Sequence, residues 1–342
     1  MAKTILGVDV GYDNLKLALV RGKTVLRTAS VPMPRNLLQD GRIVSPESMA
    51  EQLRMSMKEN GIRAGLAAFV IPRENVFVKN VVMPAMTEEQ LLYNLPFEFR
   101  DYISGEIRDY VFDYALVGER PAEAPAEADD EGSAEDSGVP GMELLAVGAS
   151  RAYMDEIRDV IRRAGMKLSM AAPPVCAFIQ LIRLQQKRGS DETEYCILDL
   201  GYESIRMHIF KGDRYEVTRV MDMGLSLLDE VIAEQFNVDI HLAHTYLMTN
   251  YEDCQRSEEC ETAYGNIAME LMRVLNFYRY SNQDSSIGDV WLCGGGAVIR
   301  PLREAIREGL DLEVHPASEL VPGGDKIQDC NSFVQAIGIA ME

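Results

Sequence analysis

Residues 4–20 read TILGVDVGYDNLKLALV, and residues 196–210 read CILDLGYESIRMHIF. Aligned on Asp9 and Asp199, the run Asp9-Val10-Gly11-Tyr12-Asp13-Asn14-Leu15-Lys16 matches Asp199-Leu200-Gly201-Tyr202-Glu203-Ser204-Ile205-Arg206 class for class. Arg21-Gly22-Lys23 and Lys211-Gly212-Asp213 follow at the same distance. In each copy the residues alternate with period two up to an Asp-x-Gly turn, resume alternation, and turn again at a second glycine. Each copy therefore predicts strand, tight turn, strand, short turn, strand. Two copies set far apart are too few for a solenoid. They predict a duplicated α/β domain, and a chain of 342 residues is long enough for two lobes with separate cores.

Bulk composition excludes several functional classes. The formal net charge of −20 argues against covering nucleic-acid phosphates with lysines and against docking on an anionic membrane surface. No apolar run reaches the ~18–20 residues of a membrane span, and MAKTILGVDVG lacks the features of a signal peptide. Six scattered cysteines suit a reducing compartment. A cytosolic protein without nucleic-acid binding or membrane insertion is expected. Part of the charge is local: residues 118–141, GERPAEAPAEADDEGSAEDSGVPG, hold eight acids and one arginine. Such a segment cannot bury enough apolar surface to offset its ordering entropy and reads as a disordered loop.

Between the two copies, Ser45-Pro46 caps a helix carrying Met49, Leu53 and Met57, ended by Asn60-Gly61. Residues 65–71 and 76–82 read as strands. Thr87-Glu88-Glu89-Gln90 is a capping box for a helix that Pro96 kinks or ends. Residues 143–149 read as a strand, and Ser150 as the cap of a helix closed by Gly165. Residues 81–169 are expected to form an α/β insertion in a first lobe made of 1–80, 170–190 and 325–342. The second lobe comprises 191–225 and 285–324, with a helical insertion at 226–284 whose last helix has a stripe of Ile267, Leu271, Val274, Leu275 and Tyr278. Asn331 or Ser332 is expected to cap a terminal helix packed on the first lobe.

The two turns carry chemistry. Gly11 tolerates positive φ, which would let backbone N–H groups converge on an anion. Lys16 suits a phosphate oxygen, and Asp9 suits Mg²⁺ held through water. The second turn offers Asp199, Gly201 and Ser204 from the opposite side, so two such hairpins would clamp a triphosphate. Gly294-Gly295-Gly296, between a strand and a helix, would let a base or ribose approach the backbone.

The order Asp-x-Gly-x-x-x-x-Lys, Asp-x-Gly, Gly-Gly-Gly resembles the phosphate 1, phosphate 2 and adenosine motifs of the actin, Hsp70 and sugar-kinase superfamily. Within it, VVMPAMTEEQLLYNLPFEFRDYI and LMRVLNFYRYSNQDSSIGDVWLCGGGAVIRPLREAI resemble the PilM family of type IV pilus assembly proteins, relatives of the divisome protein FtsA. The resemblance runs from residue 4 to about 340. It implies a duplicated actin-like, ribonuclease H-like two-lobe fold that binds ATP and Mg²⁺. Asp9, Gly11, Tyr12, Asn14 and Lys16 would belong to phosphate 1, and Asp199, Gly201, Tyr202 and Ser204 to phosphate 2. Gly294, Gly295 and Gly296 would make the adenosine contact, and Asp9 and Asp199 would hold the metal. Tyr12, Tyr202 and the acids Asp13 and Glu203 depart from the small hydroxyl or glycine residues that family prefers. The implied function is a cytoplasmic adaptor recruited to the inner face of the membrane by the tail of a PilN-like protein, with self-association open. A filament-forming segregation or division ATPase and a small-molecule kinase of the same fold are the alternatives.

Two constellations stand apart. His241, His244, Cys254 and Cys260 have zinc-ligand chemistry without a known finger spacing. Tyr93, Phe97, Phe99 and Tyr102 follow one another at core or groove spacing. No nucleophile motif is present.

Overall fold

The first copy of the repeat forms β1 (Thr4–Val10), β2 (Asn14–Arg21) and β3 (Thr24–Pro32), each antiparallel to the next. The computed structural model describes residues 2–39, 41–120, 141–189 and 193–341, so the stretch 121–140 of the expected acidic loop lies outside them. After the short hairpin β4 (Leu38–Gln39) and β5 (Arg42–Ile43) come α1 (Pro46–Glu59), β6 (Leu66–Val70) and β7 (Val76–Pro84). Then follow α2 (Glu88–Asn94), β8 (Tyr110–Arg120), β9 (Gly141–Ser150), α3 (Arg151–Arg163), β10 (Lys167–Ala172) and α4 (Pro174–Gln186). The second copy gives β11 (Glu194–Leu200), β12 (Ile205–Lys211) and β13 (Arg214–Met221). It continues through α5 (Leu225–Phe236), α6 (Ile240–Thr249), α7 (Glu258–Ser281) and β14 (Asp289–Cys293) to α8 (Arg300–Leu310), β15 (Glu313–Pro316) and α9 (Cys330–Ala340).

The duplication extends to whole sheets. One has the order β3-β2-β1-β6-β10 and the other β13-β12-β11-β14-β15. In both, the hairpin strands are antiparallel and the later strands are parallel to the first. This is the actin-like two-lobe fold.

Side-chain alternation then decides which core each strand face joins. Leu6, Val8 and Val10 of β1 pack with α1 and α3, whereas Ile5 joins the core shared with α4 and α9. In β11, Cys196, Leu198 and Leu200 pack with α5 and α7, whereas Tyr195 and Ile197 join that same shared core. Asp9 and Asp199 have the parity of Ile5 and Ile197. Both carboxylates therefore face the layer between the lobes.

Several local readings need correction. Within the segment 81–169 expected as an insertion, α3 packs against α1 and β10 pairs with β6 in the first sheet. Only β7, β9 and β8, with α2, form a separate layer. Parallel pairing with a strand 100 residues earlier is a non-local decision that period-two reading cannot reach. Ser150 precedes α3 but its side chain makes no cap hydrogen bond. The last helix starts at Cys330, after Asp329 in a left-handed conformation (φ 51°), so neither Asn331 nor Ser332 caps it. Asn331 Oδ1 instead accepts from the Ser318 N–H at 2.7 Å. Ser45 and Thr87 do cap their helices, the latter in a reciprocal capping box with Gln90.

α9 lies directly on the first sheet because Gly7 lets it: a Cβ there would stand 1.7 Å from the Ala336 carbonyl oxygen. Gly7→Ala is expected to cost about 3 kcal/mol or more, since backbone must move to admit the methyl; a urea midpoint close to that of the wild type would contradict this contact. His208 on β12 is buried, with Nδ1 2.8 Å from Thr218 Oγ1 and its ring against Phe178. Burial pushes its pKa down to about 4, against the opposing pull of Asp199. A lowered histidine contributes stability present above its unfolded pKa of about 6.5 and lost as pH falls toward 4. His208→Gln should therefore shrink the loss of unfolding free energy between pH 7.5 and 5 by about 2 kcal/mol.

Candidate functional site

Strand register builds the site. Asp9 lies opposite Lys16 across β1–β2, and Asp199 lies opposite Arg206 across β11–β12. Opposite charges at facing positions are close enough to pair: Lys16 Nζ is 3.8 Å from Asp9 Oδ2, and Arg206 is 3.5 Å from Asp199 Oδ2. Arg206 also reaches Glu74 Oε1 at 3.3 Å, joining the lobes. From α9, Gln335 Nε2 donates to Asp199 Oδ2 at 2.9 Å. Both aspartates are buried. Burial pushes the Asp9 pKa up; Lys16 opposes this, and the charge of Asp199 adds to it. The charge of Asp199 thus reaches Asp9 from the other lobe, and Cys293 is raised by burial and then by Asp199.

The turns meet as well. Tyr12 and Tyr202, at corresponding repeat positions, stack with centroids 5.1 Å apart and planes within 7°. Tyr202 also abuts His244, whose Nδ1 is 2.9 Å from the buried Asp229. Hydrogen bonds from the Leu225 and Ser226 amides to the Gly201 and Tyr202 carbonyls, at 3.1 and 2.9 Å, fix the second turn on the start of α5.

The turn glycines do not take the left-handed backbone that the sequence suggested for Gly11. Neither Gly11 nor Gly201 has positive φ. Their N–H groups donate within their own turns, Gly11 to Asn14 O at 3.0 Å and Gly201 to Asp199 O at 3.1 Å. The side chains, not these amides, supply the donors. Gly294 does have positive φ (86°), and a Cβ there would stand 2.5 Å from Asp199 Oδ1, so it serves close packing on the end of β11. Gly296 packs on Leu200 and Leu225 in the same way, which leaves Gly295 with only ordinary contact distances.

Asn14 opens β2 and Ser204 immediately precedes β12, each two residues before the cation of its hairpin, Lys16 or Arg206. Sequence reasoning missed Arg206, although the repeat made it the counterpart of Lys16; Gln335 and Glu74 carried no local signal. The zinc candidates form no ligand set: His244 pairs with Asp229, Cys254 Sγ lies 3.3 Å from the Tyr246 carbonyl, and no metal-holding group occurs among the described residues. Of the aromatic run, Phe99 is core, while Tyr93 (73% exposed), Phe97 and Tyr102 face solvent.

Arg206→Met should destabilise the protein by about 3 kcal/mol, because it leaves Asp199 buried with Gln335 as its remaining close donor. Adding Asp199→Asn should recover a large part of that loss in urea melts. Equal midpoints for the single and double variants would show that the pair is not coupled.

Comparison with known proteins agrees with this fold. The family model described as type IV pilus assembly protein PilM matches residues 7–342. No curated protein matches the chain by sequence. A solved PilM-PilN type IV pilus biogenesis complex is similar in fold, with TM-score 0.78 and 22% identity over 98% of this chain and 97% of that one. The ethanolamine utilization protein EutJ from Carboxydothermus hydrogenoformans is similar at TM-score 0.60 and 14% identity, over 100% of this chain and 89% of that one. MreB5 of Spiroplasma citri bound to ADP is similar at TM-score 0.50 and 11% identity, over 98% and 94%. With the repeat, the paired sheets and a family match over nearly its whole length, the chain belongs to the type IV pilus assembly protein PilM family.

Proposed function

We propose that this protein is a cytoplasmic actin-like adaptor of a type IV pilus assembly platform, which binds Mg-ATP between its lobes and holds the tail of a PilN-like inner-membrane protein. The observation that carries the nucleotide half is the convergence of Asp9, Lys16, Asp199 and Arg206 from two equivalent hairpins. The donor set suits the group: two cations for phosphate oxygens and two carboxylates for a water-coordinated Mg²⁺. Lys16 and Arg206 would hold the phosphates, Asp9 and Asp199 the metal, and bound Mg²⁺ would offset the charge of the polyphosphate. Both cations are presently paired with carboxylates of their own hairpins, so binding exchanges those partners. The Tyr12–Tyr202 stack spans the same gap, which makes it a reporter of lobe closure.

The partner half draws on family membership and on the solved PilM-PilN complex. A docking face is available on the α2 side of the layer of β7, β9 and β8: Tyr93, Phe97 and Tyr102 expose aromatic surface there, with Leu116, which pairs across the strands with Leu144 of that face. No described helix is long and apolar enough to cross a membrane, so attachment through a partner's tail gives the adaptor its place. Self-association is the second reading, favoured by Met269, Met272, Phe277 and Tyr280 exposed along α7.

Mg-ATP should raise the melting temperature of the protein by several degrees at saturation, and Lys16→Ala should abolish that rise. A tail peptide should bind the wild type and lose affinity by roughly tenfold or more on Tyr93→Ala/Phe97→Ala, the size expected for truncated aromatic anchors. If Lys16→Ala leaves both nucleotide and tail affinity unchanged, the reading fails. Sedimentation with Mg-ATP but without the tail decides the second reading, since a filament former pellets alone.

A further inference from the structure

Away from the paired hairpins, the groove between α8 and the edge strand β15 encloses a cavity of about 250 Å³. Its floor is apolar, from Leu292, Val314 and Pro316, and its wall is the arginine face of α8. Arg300, Arg303 and Arg307 recur there at helical spacing, which stacks them on one side. The carboxylates around the cavity are already engaged. Glu304 is held by Arg256 and by Arg300, 2.8 Å away, and its pKa is lowered first by Arg256 and then by Arg300. Asp289 and Glu319 pair with the two ring nitrogens of His315, at 2.7 and 3.3 Å. Among the described residues neither Arg303 nor Arg307 has an ion-pair partner, and Arg303 Nε is buried with no hydrogen bond at all.

A protein with a net charge of −20 has acids to pair with its arginines almost anywhere. The buried, unsatisfied Arg303 Nε carries a desolvation cost that a ligand would relieve, and the exposed Arg307 stands one turn along the helix without an acid to match it among the described residues. We propose that this cavity binds a phosphate-bearing small molecule, its phosphate gripped by Arg303 and Arg307 and its body resting on Leu292, Val314 and Pro316. Two guanidinium forks match the several acceptor oxygens of a phosphate dianion better than they match a single carboxylate. The volume suits a compact ligand rather than an extended peptide, lying just below the usual range of small-molecule sites. The cavity lining includes none of Asp9, Lys16, Asp199 and Arg206; because Leu292 and Ala297 flank the glycine triplet, the Lys16→Ala arm of the test separates this site from the nucleotide reading.

The test uses the full chain, with inorganic phosphate and glycerol 3-phosphate as probes, titrated calorimetrically against chloride at equal ionic strength. Both probes should bind, glycerol 3-phosphate more tightly because of the apolar floor. Arg303→Gln/Arg307→Gln should weaken both by roughly tenfold or more, the loss expected of charge-assisted hydrogen bonds, while Lys16→Ala leaves them unchanged. Should the double variant fail to fold, Arg307→Gln alone, at an exposed position, should still weaken binding. Absence of binding above the chloride control, binding that the arginine variants retain, binding that Lys16→Ala removes, or preference for a hexaglutamate peptide over phosphate would each overturn the proposal.

Discussion

Everything in this structure turns on a cross-strand register repeated twice. In each lobe the first hairpin sets an aspartate opposite a cation, Asp9 with Lys16 and Asp199 with Arg206, at the end of a strand otherwise filled with core residues. Strand alternation then aims both carboxylates at the layer the lobes share, instead of at the separate cores beneath each sheet. A slip of one residue in either hairpin would send its aspartate into a purely apolar core. The charge cluster is thus a product of two independent registers and holds them in place.

That cluster also explains why α9 must lie where it does. Buried carboxylates require donors, and Gln335 of α9 supplies one to Asp199. It can do so because Gly7 and the small residues Ala336 and Ala340 let the helix lie against β1 without an intervening side chain. The C-terminal segment therefore packs on the first lobe and serves the aspartate of the second. Arg206 repeats this bridging from the opposite direction through Glu74. The stacked tyrosines add a third connection, this one aromatic, so the lobes meet through charge, amide and ring contacts in one small region.

The parts of this arrangement visible in the sequence are those governed by local periodicity. Period-two alternation gave the six hairpin strands, Ser45 and Thr87 announced their helices, and the internal echo made the duplicated fold readable from two short runs. What stayed hidden depends on contacts between distant segments. β10 joins β6 by parallel pairing, which alternation cannot identify. Gln335 lies 136 residues from the carboxylate it serves. The glycines misled for a physical reason: the residue type was right, but at Gly11 and Gly201 the need is room rather than a left-handed backbone, since a Cβ would press on Asn14 O at 3.0 Å and Ser204 O at 2.7 Å. Tyr12 and Tyr202, each taken in its own turn, were departures from the small residues that the family prefers. Only their pairing across the lobes gives them a common role.

The claim beneath the proposed function is that the two hairpins engage one ligand together. Amide hydrogen exchange of the full chain, with and without Mg-ATP, tests it most directly. Simultaneous added protection in the segments 9–16 and 199–206, at matching nucleotide concentration, is the predicted result. Protection confined to one hairpin, or absent from both at a concentration where binding is saturated, would contradict it.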